Sequence, residues 1–321
     1  MKQFLFALPF IFLSFLQISC EKLSSVETPE GMVRVKFDVT ADTKAASSDR
    51  DQIHSMDVFV FVAETGEMLS HDNVRNGSIS LYLQRGILHN CCFAVNAPEG
   101  FFDDVTNYSQ MSDKISDFTD NEESFVMYGE VSRMFVKDGS LDVEVSRLCS
   151  KIVVDNLVAK FMETEIASAH VELRRIFLMN CASQITYMGE TVKDAPVYNE
   201  NGYNPELEQV VKDQLVKEFG TQIKDVSPIA LNTSLYCYSA DIEDGVSSTM
   251  LILELAIAGN TNYYTVLLPK LKPNHEYHID TIRLLGFGAD FPGQVFDRTE
   301  VYFKVDVNPW GVADDKDAVM D

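Results

Sequence analysis

The chain has 321 residues, of which 49 are acidic and 26 are basic, and its formal net charge at pH 7 is -23. This charge argues against a nucleic-acid-binding protein, which needs a basic face for phosphate, and equally against adsorption to anionic lipid head groups. Hydrophobic residues make up 46% of the chain, so a sizeable core is available. The length fits roughly two domains of ~150 residues.

Residues 1–19 are predicted to form a secretion signal, with a basic start and an apolar run at residues 4–18. The run is shorter than the ~20 apolar residues of a membrane span. A cysteine directly after such a run is typical of bacterial lipoproteins, so we expect lipidation of Cys20, with residues 20–30 as a tether. Gln17 occupies the position at which these signals usually carry leucine. This leaves open an ordinary signal followed by a chance cysteine.

The first strand is predicted from a regular alternation in residues 33–40. One face is apolar and consists of Val33, Val35, Phe37 and Val39. The other face carries charged and polar side chains, and this period of two is typical of a half-buried strand. Residues 41–52 follow as a small, polar loop.

Further strands are predicted in the first half at residues 56–63, 79–83, 87–95, 126–134 and 141–145. A helix is predicted between the third and fourth of these from apolar residues at helical spacing, namely Val105, Tyr108, Met111, Ile115 and Phe118. The domain boundary is predicted near Ser150, which gives domains at residues 31–150 and 151–321.

The second half has a similar plan. Its strands are predicted at residues 171–179, 234–240, 250–257, 263–268, 277–285 and 301–307. A helix is predicted to begin at Asn204 and Pro205 and to end at Gly220, with Leu207 and Val211 on its apolar face. Many short strands and one short helix in each half predict a mainly β protein with two β-sandwich domains in tandem.

No motif for catalysis, phosphate binding or metal binding is found in the sequence, so we expect no enzyme, no cofactor and no metal. His275 and His278 are three apart at a strand entry, where that spacing points them to opposite faces. Short acidic clusters, such as residues 120–123 and 241–244, are interpreted as solvated turns. A glycosidase with paired carboxylates stays open, because its two acids would be distant in sequence.

The cysteines after Cys20 are odd in number and irregularly spaced: Cys91, Cys92, Cys149, Cys181 and Cys237. This pattern argues against a zinc site, and several of them lie in strand-like runs. We interpret them as buried thiols that act as small apolar groups. A disulfide is the alternative in an oxidising compartment.

Three segments resemble the Bacteroidales fimbrillins, the subunits of type V pili. Residues 145–152 (VSRLCSKI) are similar to the arginine-leucine…lysine-isoleucine strand between the fimbrillin domains. Residues 271–279 (LKPNHEYHI) resemble their asparagine-x-x-tyrosine strand, and residues 305–310 (VDVNPW) resemble their closing V-x-V-x-P-W segment. With the lipoprotein signal and residues 57–61 (DVFVF), the resemblance spans most of the chain.

The resemblance implies two transthyretin-like Greek-key β-sandwich domains, export as a lipoprotein, and a structural role at the outer membrane and cell surface as a stalk, tip or anchor subunit. In polymerising members an arginine-specific protease cuts the loop after the first strand. That strand leaves, and a C-terminal strand from a neighbouring subunit fills the groove. The implied partners are therefore other fimbrial subunits and the membrane that holds the lipid on Cys20.

On this resemblance, residues 33–40 are the exchangeable strand, which we expect at a sheet edge, because a strand with partners on both flanks would be locked in the sheet and would argue against exchange. Its four inward side chains bury ~1.5–3 kcal/mol each, so its loss would expose roughly 6–12 kcal/mol of apolar surface as an upper bound. Arg50 is the candidate cleavage site, and a solvated loop residue is the alternative. The tail after Trp310 carries charge in either strand register, which makes it a poor donor.

A second hypothesis is a surface-tethered lipoprotein that binds glycan or a host protein and does not polymerise. It predicts an exposed groove lined by aromatic side chains. The candidate pairs for such a groove are Phe101 with Phe102 and Tyr263 with Tyr264.

Overall fold

The structure is a computed structural model that describes residues 28–41, 49–163, 170–240, 249–294 and 305–309. Cys20, the signal segment, most of the tether and the tail from Trp310 onward lie outside these residues, and so does the acidic cluster at 241–244. The predictions made for these parts of the chain stay predictions. No helix within the described ranges is long and apolar enough to cross a membrane.

The first half is built from short strands, as its alternating pattern predicts. In chain order they are β1 (Met32–Ala41), β2 (Met56–Val62), β3 (Met68–Val74), β4 (Ser78–Gln84), β5 (Leu88–Val95), β6 (Ile115–Asp117), β7 (Met127–Met134) and β8 (Gly139–Arg147). The helical elements are α1 (Tyr108–Ser112) and two 3₁₀ turns, Asp49–Asp51 and Phe118–Asn121. Every strand predicted in this half is present, and β3 and β6 are additional.

The second half continues with strands on both sides of one short helix. In chain order the strands are β9 (Ser150–Ala159), β10 (Val171–Met179), β11 (Cys181–Ala182), β12 (Gln184–Thr186), β13 (Val197–Tyr198), β14 (Val216–Ile223), β15 (Ile229–Cys237), β16 (Met250–Ile257), β17 (Asn260–Leu267), β18 (His275–Leu284) and β19 (Val305–Pro309). The helical elements are α2 (Gln209–Leu215) and a 3₁₀ turn, Lys160–Glu163.

The strands of the first half form one sheet that folds over itself. Its order is β3-β2-β5-β7-β8-β1-β4. β7 and β8 pair only at Met127 with Arg147 and at Tyr128 with Ser146, so the sheet turns a corner there. The ring of Phe37 on β1 lies 5.4 Å from that of Phe93 on β5, although two strands separate them within the sheet. The two arms therefore face each other as the layers of a sandwich.

The second half contains two four-stranded sheets, in the orders β14-β10-β16-β17 and β15-β9-β18-β19. Their inner faces belong to one hydrophobic core that also includes the first half. A small sheet joins the halves, because β6 pairs with β12. The mainly β architecture is thus confirmed. The domain boundary predicted near Ser150 lies where the chain passes from β8 to β9.

Both predicted helices are longer than the observed ones. In the first half, α1 begins after its N-cap Asn107, whose side chain accepts a hydrogen bond from the Gln110 N–H, but it ends at Ser112. Ile115 and Phe118, predicted on its apolar face, lie instead in β6 and in the following 3₁₀ turn. Pairing of β6 with β12 from the other half overrides the local helical period.

Gly220 was predicted to end a helix, but it lies inside β14. The helix α2 covers only Gln209–Leu215, and the chain then becomes extended. At the pairing of β14 with β10 the register shifts between Leu173 and Arg175. Gly220 has φ of +64°, the left-handed conformation that a bulge of this kind requires. The glycine therefore marks a bulge in an edge strand.

His89 on β5 is fully buried. Burial lowers the pKa of its imidazole, against weaker backbone interactions at Ile87 and Arg133 that raise it. The folded protein therefore binds the proton on His89 less readily than the unfolded chain, whose histidine pKa is about 6.5. The resulting stability is fully present above pH ~6.5 and is lost as the pH falls below it.

We predict that His89→Leu reduces the loss of stability between pH 7 and pH 5. The effect of one group is at most about 1.4 kcal/mol per pH unit. Urea unfolding at several pH values measures it, with His170→Gln, which changes an exposed histidine, as the comparison. Equal pH profiles for the two variants would contradict the account of His89.

Candidate functional site

The first strand is the feature on which the assembly hypothesis depends. Its predicted inward side chains are all buried, with exposures of 0 to 4%: Val33, Val35, Phe37 and Val39. Phe37 lies near Phe93 and Phe135, with ring centroids 5.4 and 6.0 Å away. The alternation predicted for β1 is therefore confirmed, and the strand fills the centre of the first sandwich.

The expectation that β1 lies at a sheet edge is wrong. It pairs antiparallel with β4, where Val35 lies opposite Leu81, and parallel with β8, where Val39 lies opposite Val143. β4 occupies the edge instead. The alternating pattern reports that one face is buried, but it carries no information about how many neighbours the backbone has. Loss of β1 would therefore open a slot between two strands.

The turn between β3 and β4 holds the end of β1 closely. The Val39 N–H donates to the Gly77 carbonyl at 2.6 Å. A Cβ at position 77 would lie 2.5 Å from the Val39 carbonyl oxygen, so only glycine fits there. At the other end, the Arg34 N–H donates to the Asp138 carboxylate at 2.9 Å. Both ends of β1 are thus fixed by groups outside its sheet pairing.

Arg50 was predicted to lie in a polar loop, open to a protease, and this is wrong. It lies in the 3₁₀ turn Asp49–Asp51, and its guanidinium sits over the rings of Phe125 and Tyr236, 4.2 and 5.3 Å from their centroids. Its Nη2 donates to the Asn121 carbonyl and, at 2.9 Å, to Oε1 of Gln214 on α2. Burial lowers the pKa of this guanidinium.

The peptide bond after Arg50 is also held. The Arg50 carbonyl accepts a hydrogen bond from the Phe125 N–H at 2.9 Å. The next residue, Asp51, is buried and pairs with Nε of Arg147 at 2.6 Å. A protease needs an extended chain with a free arginine side chain, so this bond becomes a substrate only after local opening.

Arg147 is the centre of a buried polar cluster between the halves. Its side chain is 1% exposed. Besides Asp51, its guanidinium donates to Oδ1 of Asn274 at 2.9 Å. The Asn274 N–H in turn donates to the Cys149 carbonyl at 3.0 Å. The cluster ties three separate points of the chain together: the turn after β1, the end of β8 and the entry to β18.

Two motifs that carried the fimbrillin resemblance therefore meet in space. Residues 145–152 contain Arg147, and residues 271–279 contain Asn274. Asn274 has φ of +56°, which asparagine tolerates better than most residues. Tyr277 completes the second motif, because its hydroxyl accepts from the Lys272 N–H at 2.8 Å and contacts the Lys270 carbonyl at 3.1 Å. The motifs build the junction between the halves.

The five cysteines within the described residues are free and buried, as interpreted from the sequence. Burial raises the pKa of Cys91 and of Cys149 to about 12. Burial also raises the pKa of Cys92, and a hydrogen bond to Cys181 together with burial raises that of Cys237. Thiols held in the neutral form are poor nucleophiles and poor metal ligands. Their contribution is to core packing.

The aromatic pairs that were candidates for a ligand groove belong largely to the core. Phe102 is 1% exposed and Tyr264 is 2% exposed. Phe101 and Tyr263 are partly buried and pack against the same core. Among the described residues these pairs therefore do not form an exposed platform.

No protein-family model and no curated protein matches the chain. Several solved structures do. A proposed cell adhesion protein from Bacteroides eggerthii is 14% identical, with 87% of this chain and 96% of that chain covered at a TM-score of 0.63. A fimbrilin from Porphyromonas gingivalis is 13% identical, with 87% and 97% covered at a TM-score of 0.59. A tip fimbrial protein from the same organism, with a C-terminal truncation, is 14% identical, with 87% and 100% covered at a TM-score of 0.53.

These similarities extend over both halves of the chain and over nearly the whole length of each relative. The resemblance to the fimbrillins that three short motifs indicated is confirmed by them at the level of the fold. Identities of this size show a shared fold and leave the function to be argued from the residues.

We predict that Val35→Asp lowers the free energy of unfolding by more than about 3 kcal/mol, because it places an unpaired carboxylate in the core of the sandwich. Chemical denaturation followed by circular dichroism measures the change. Lys36→Gln is the matched control on the outward face, where Lys36 pairs with Asp38 in solvent and the cost should stay below about 1 kcal/mol. Similar losses for both variants would contradict the assignment of faces.

We predict strong coupling between Arg147 and Asp51. Arg147→Met removes the guanidinium that pairs with the buried Asp51 carboxylate and should cost about 3–5 kcal/mol. Adding Asp51→Asn should restore part of this, with a coupling energy of roughly 0.5–3 kcal/mol in a double-mutant cycle. The control cycle uses Lys151→Met and Glu276→Gln, a partly exposed pair at 2.8 Å. Coupling no larger than in the control would show that the cluster does not hold the junction.

Proposed function

We propose that the chain is a structural component of outer-membrane type V fimbriae, either a subunit or an accessory tip or anchor protein, and that it is exported as a lipoprotein through Cys20. The observation that carries the proposal is the fold shared with a fimbrilin and with a tip fimbrial protein over 87% of this chain. On this proposal the two sandwiches are transthyretin-like Greek-key domains. The role is structural, at the cell surface, with other fimbrial subunits as partners.

We further propose that assembly uses exchange of β1. As the strand nearest the N-terminus among the described elements, it continues toward β2 only through residues 42–48 and the turn Asp49–Asp51. Its removal would leave β4 and β8 as facing edges two strand spacings apart, about 9.5 Å. A donor strand in such a slot gains hydrogen bonds on both sides, whereas addition at an outer edge gains them on one side only. The same two-sided pairing keeps β1 in place until the chain is cut.

Release of β1 by an arginine-specific protease depends on whether the enzyme can reach Arg50. Residues 42–48 contain Lys44 but no arginine, so an arginine-specific enzyme that cuts this connection must use Arg50. The guanidinium of Arg50 is held by Gln214 and Tyr236 of the second half. Cleavage after Arg50 then requires the contacts between the halves to loosen first. The folded monomer would keep its strand, and processing would be tied to an opening of the junction.

We predict that an arginine-specific protease cuts the native protein after the exposed Arg75, between β3 and β4, before it cuts after Arg50. Gln214→Ala should accelerate cleavage after Arg50 severalfold, because it removes a partner of the guanidinium. Gln209→Ala, an exposed residue of the same helix, is the matched control. Mass spectrometry of a time course identifies the cut sites. Early cleavage after Arg50 at equal rates in all three proteins would contradict the account and restore the free-loop interpretation.

The same digest tests strand exchange. After cleavage of Gln214→Ala, the fragment ending at Arg50 should stay bound and should be displaced by excess labelled peptide of residues 31–41. The same peptide with Val35→Asp should fail to incorporate. If the wild-type peptide failed to replace β1 between β4 and β8, the result would contradict assembly by strand exchange.

A further inference from the structure

Three side chains of metal-ligand type converge on the outer face of the second half. They are Asp155 on β9 and His278 and Asp280 on β18. One ligand atom from each lies within 4.8 Å of the others. Nε2 of His278 is 2.8 Å from Oδ2 of Asp155. The group combines an imidazole with two carboxylates, whereas the acidic clusters interpreted above as solvated turns contain no histidine.

The pairing of β9 with β18 explains why these side chains meet. The two strands are parallel, with Val154 opposite Ile279 and His278 opposite Val153. Val154 and Ile279 are both fully buried and point into the core. Because side chains alternate along a strand, Asp155 and the two neighbours of Ile279 on β18 point to the opposite face. The cluster therefore rests on two hydrogen-bonded strands of a sheet.

The charges at this cluster are unbalanced. In the adjoining row of the same face, Lys151 pairs with Glu276 at 2.8 Å, so that row is neutral. Asp155 pairs with His278, but within the described residues no basic side chain pairs with Asp280. Two carboxylates and one imidazole leave a net negative charge whichever form the imidazole takes. A bound cation would offset this repulsion.

We propose that Asp155, His278 and Asp280 form a binding site for a divalent transition-metal ion of the Zn²⁺ or Mn²⁺ type. An imidazole nitrogen with carboxylate oxygens suits these ions, whereas Ca²⁺ and Mg²⁺ prefer oxygen ligands alone. The site is partly exposed, with His278 and Asp155 each at 31% side-chain exposure, so an ion can enter from solvent. The metal site revises the sequence-based expectation of no metal and is independent of the proposed fimbrial function.

Strand β19 pairs with β18 on the side away from β9, so β18 is an interior strand of its sheet. Metal bound between β9 and β18 would cross-link strands that are far apart in the chain and would stabilise this sheet against unfolding.

The test uses the full chain, freed of metal with a chelator, and titration with Zn²⁺ by calorimetry together with thermal unfolding. We expect one Zn²⁺ per chain and a rise in melting temperature. His278→Gln and Asp280→Asn should each weaken binding at least tenfold. Glu276→Gln, on the same face but outside the cluster, is the matched control and should bind as the wild type does.

Three results would overturn the proposal. The first is no saturable Zn²⁺ binding by the wild-type chain. The second is binding that His278→Gln and Asp280→Asn leave unchanged, which would place the ion elsewhere. The third is tighter binding of Ca²⁺ than of Zn²⁺, which would contradict the role of the imidazole.

Discussion

A buried guanidinium between the two halves constrains most of what surrounds it. Arg147 is almost fully enclosed, and it needs the Asp51 carboxylate and the Asn274 amide to offset the loss of water. These partners come from the turn after β1 and from the entry to β18, so satisfying one side chain fixes how β1 leaves its sheet, where β8 ends and how the second half begins. The position of Arg50 depends on the same cluster. The turn that places Asp51 beside Arg147 also places the Arg50 guanidinium against the rings of Phe125 and Tyr236.

This constraint also bears on how firmly the first strand is held. β1 is held on both flanks by hydrogen bonds and on its inner face by apolar packing, so it is an integral part of the sandwich. It is also the strand whose connection to the rest passes through the cluster at Asp51. Release of β1 is therefore linked to the junction between the halves, and a polymer built by exchange would gain a control point from it. A protein that never opens this junction would remain a folded monomer with its strand in place.

The strands could be predicted well from sequence, since period-two alternation in β1 reports directly on burial and the apolar run of β16 marks a strand that is buried over nearly its whole length. The edge position of β1 could not, because a side-chain pattern says nothing about backbone neighbours. The environment of Arg50 could not be predicted, because its hydrogen-bond partner Gln214 lies 164 residues away in the sequence. The same holds for the metal site: Asp155 and His278 are 123 residues apart, and only strand pairing joins them. The helices predicted from local sequence extended too far, to Phe118 and to Gly220. Ile115 and Gly220 lie in strands instead, because pairing with distant strands decides their conformation.

Amide hydrogen exchange of β1 in the intact protein tests the central claim most directly. Pairing on both sides predicts that the amides of residues 33–39 exchange as slowly as those of β8. Fast exchange of these amides, while β4 and β8 stay protected, would contradict the claim. It would show that the first strand is loosely held and that the cluster around Arg147 does not secure it.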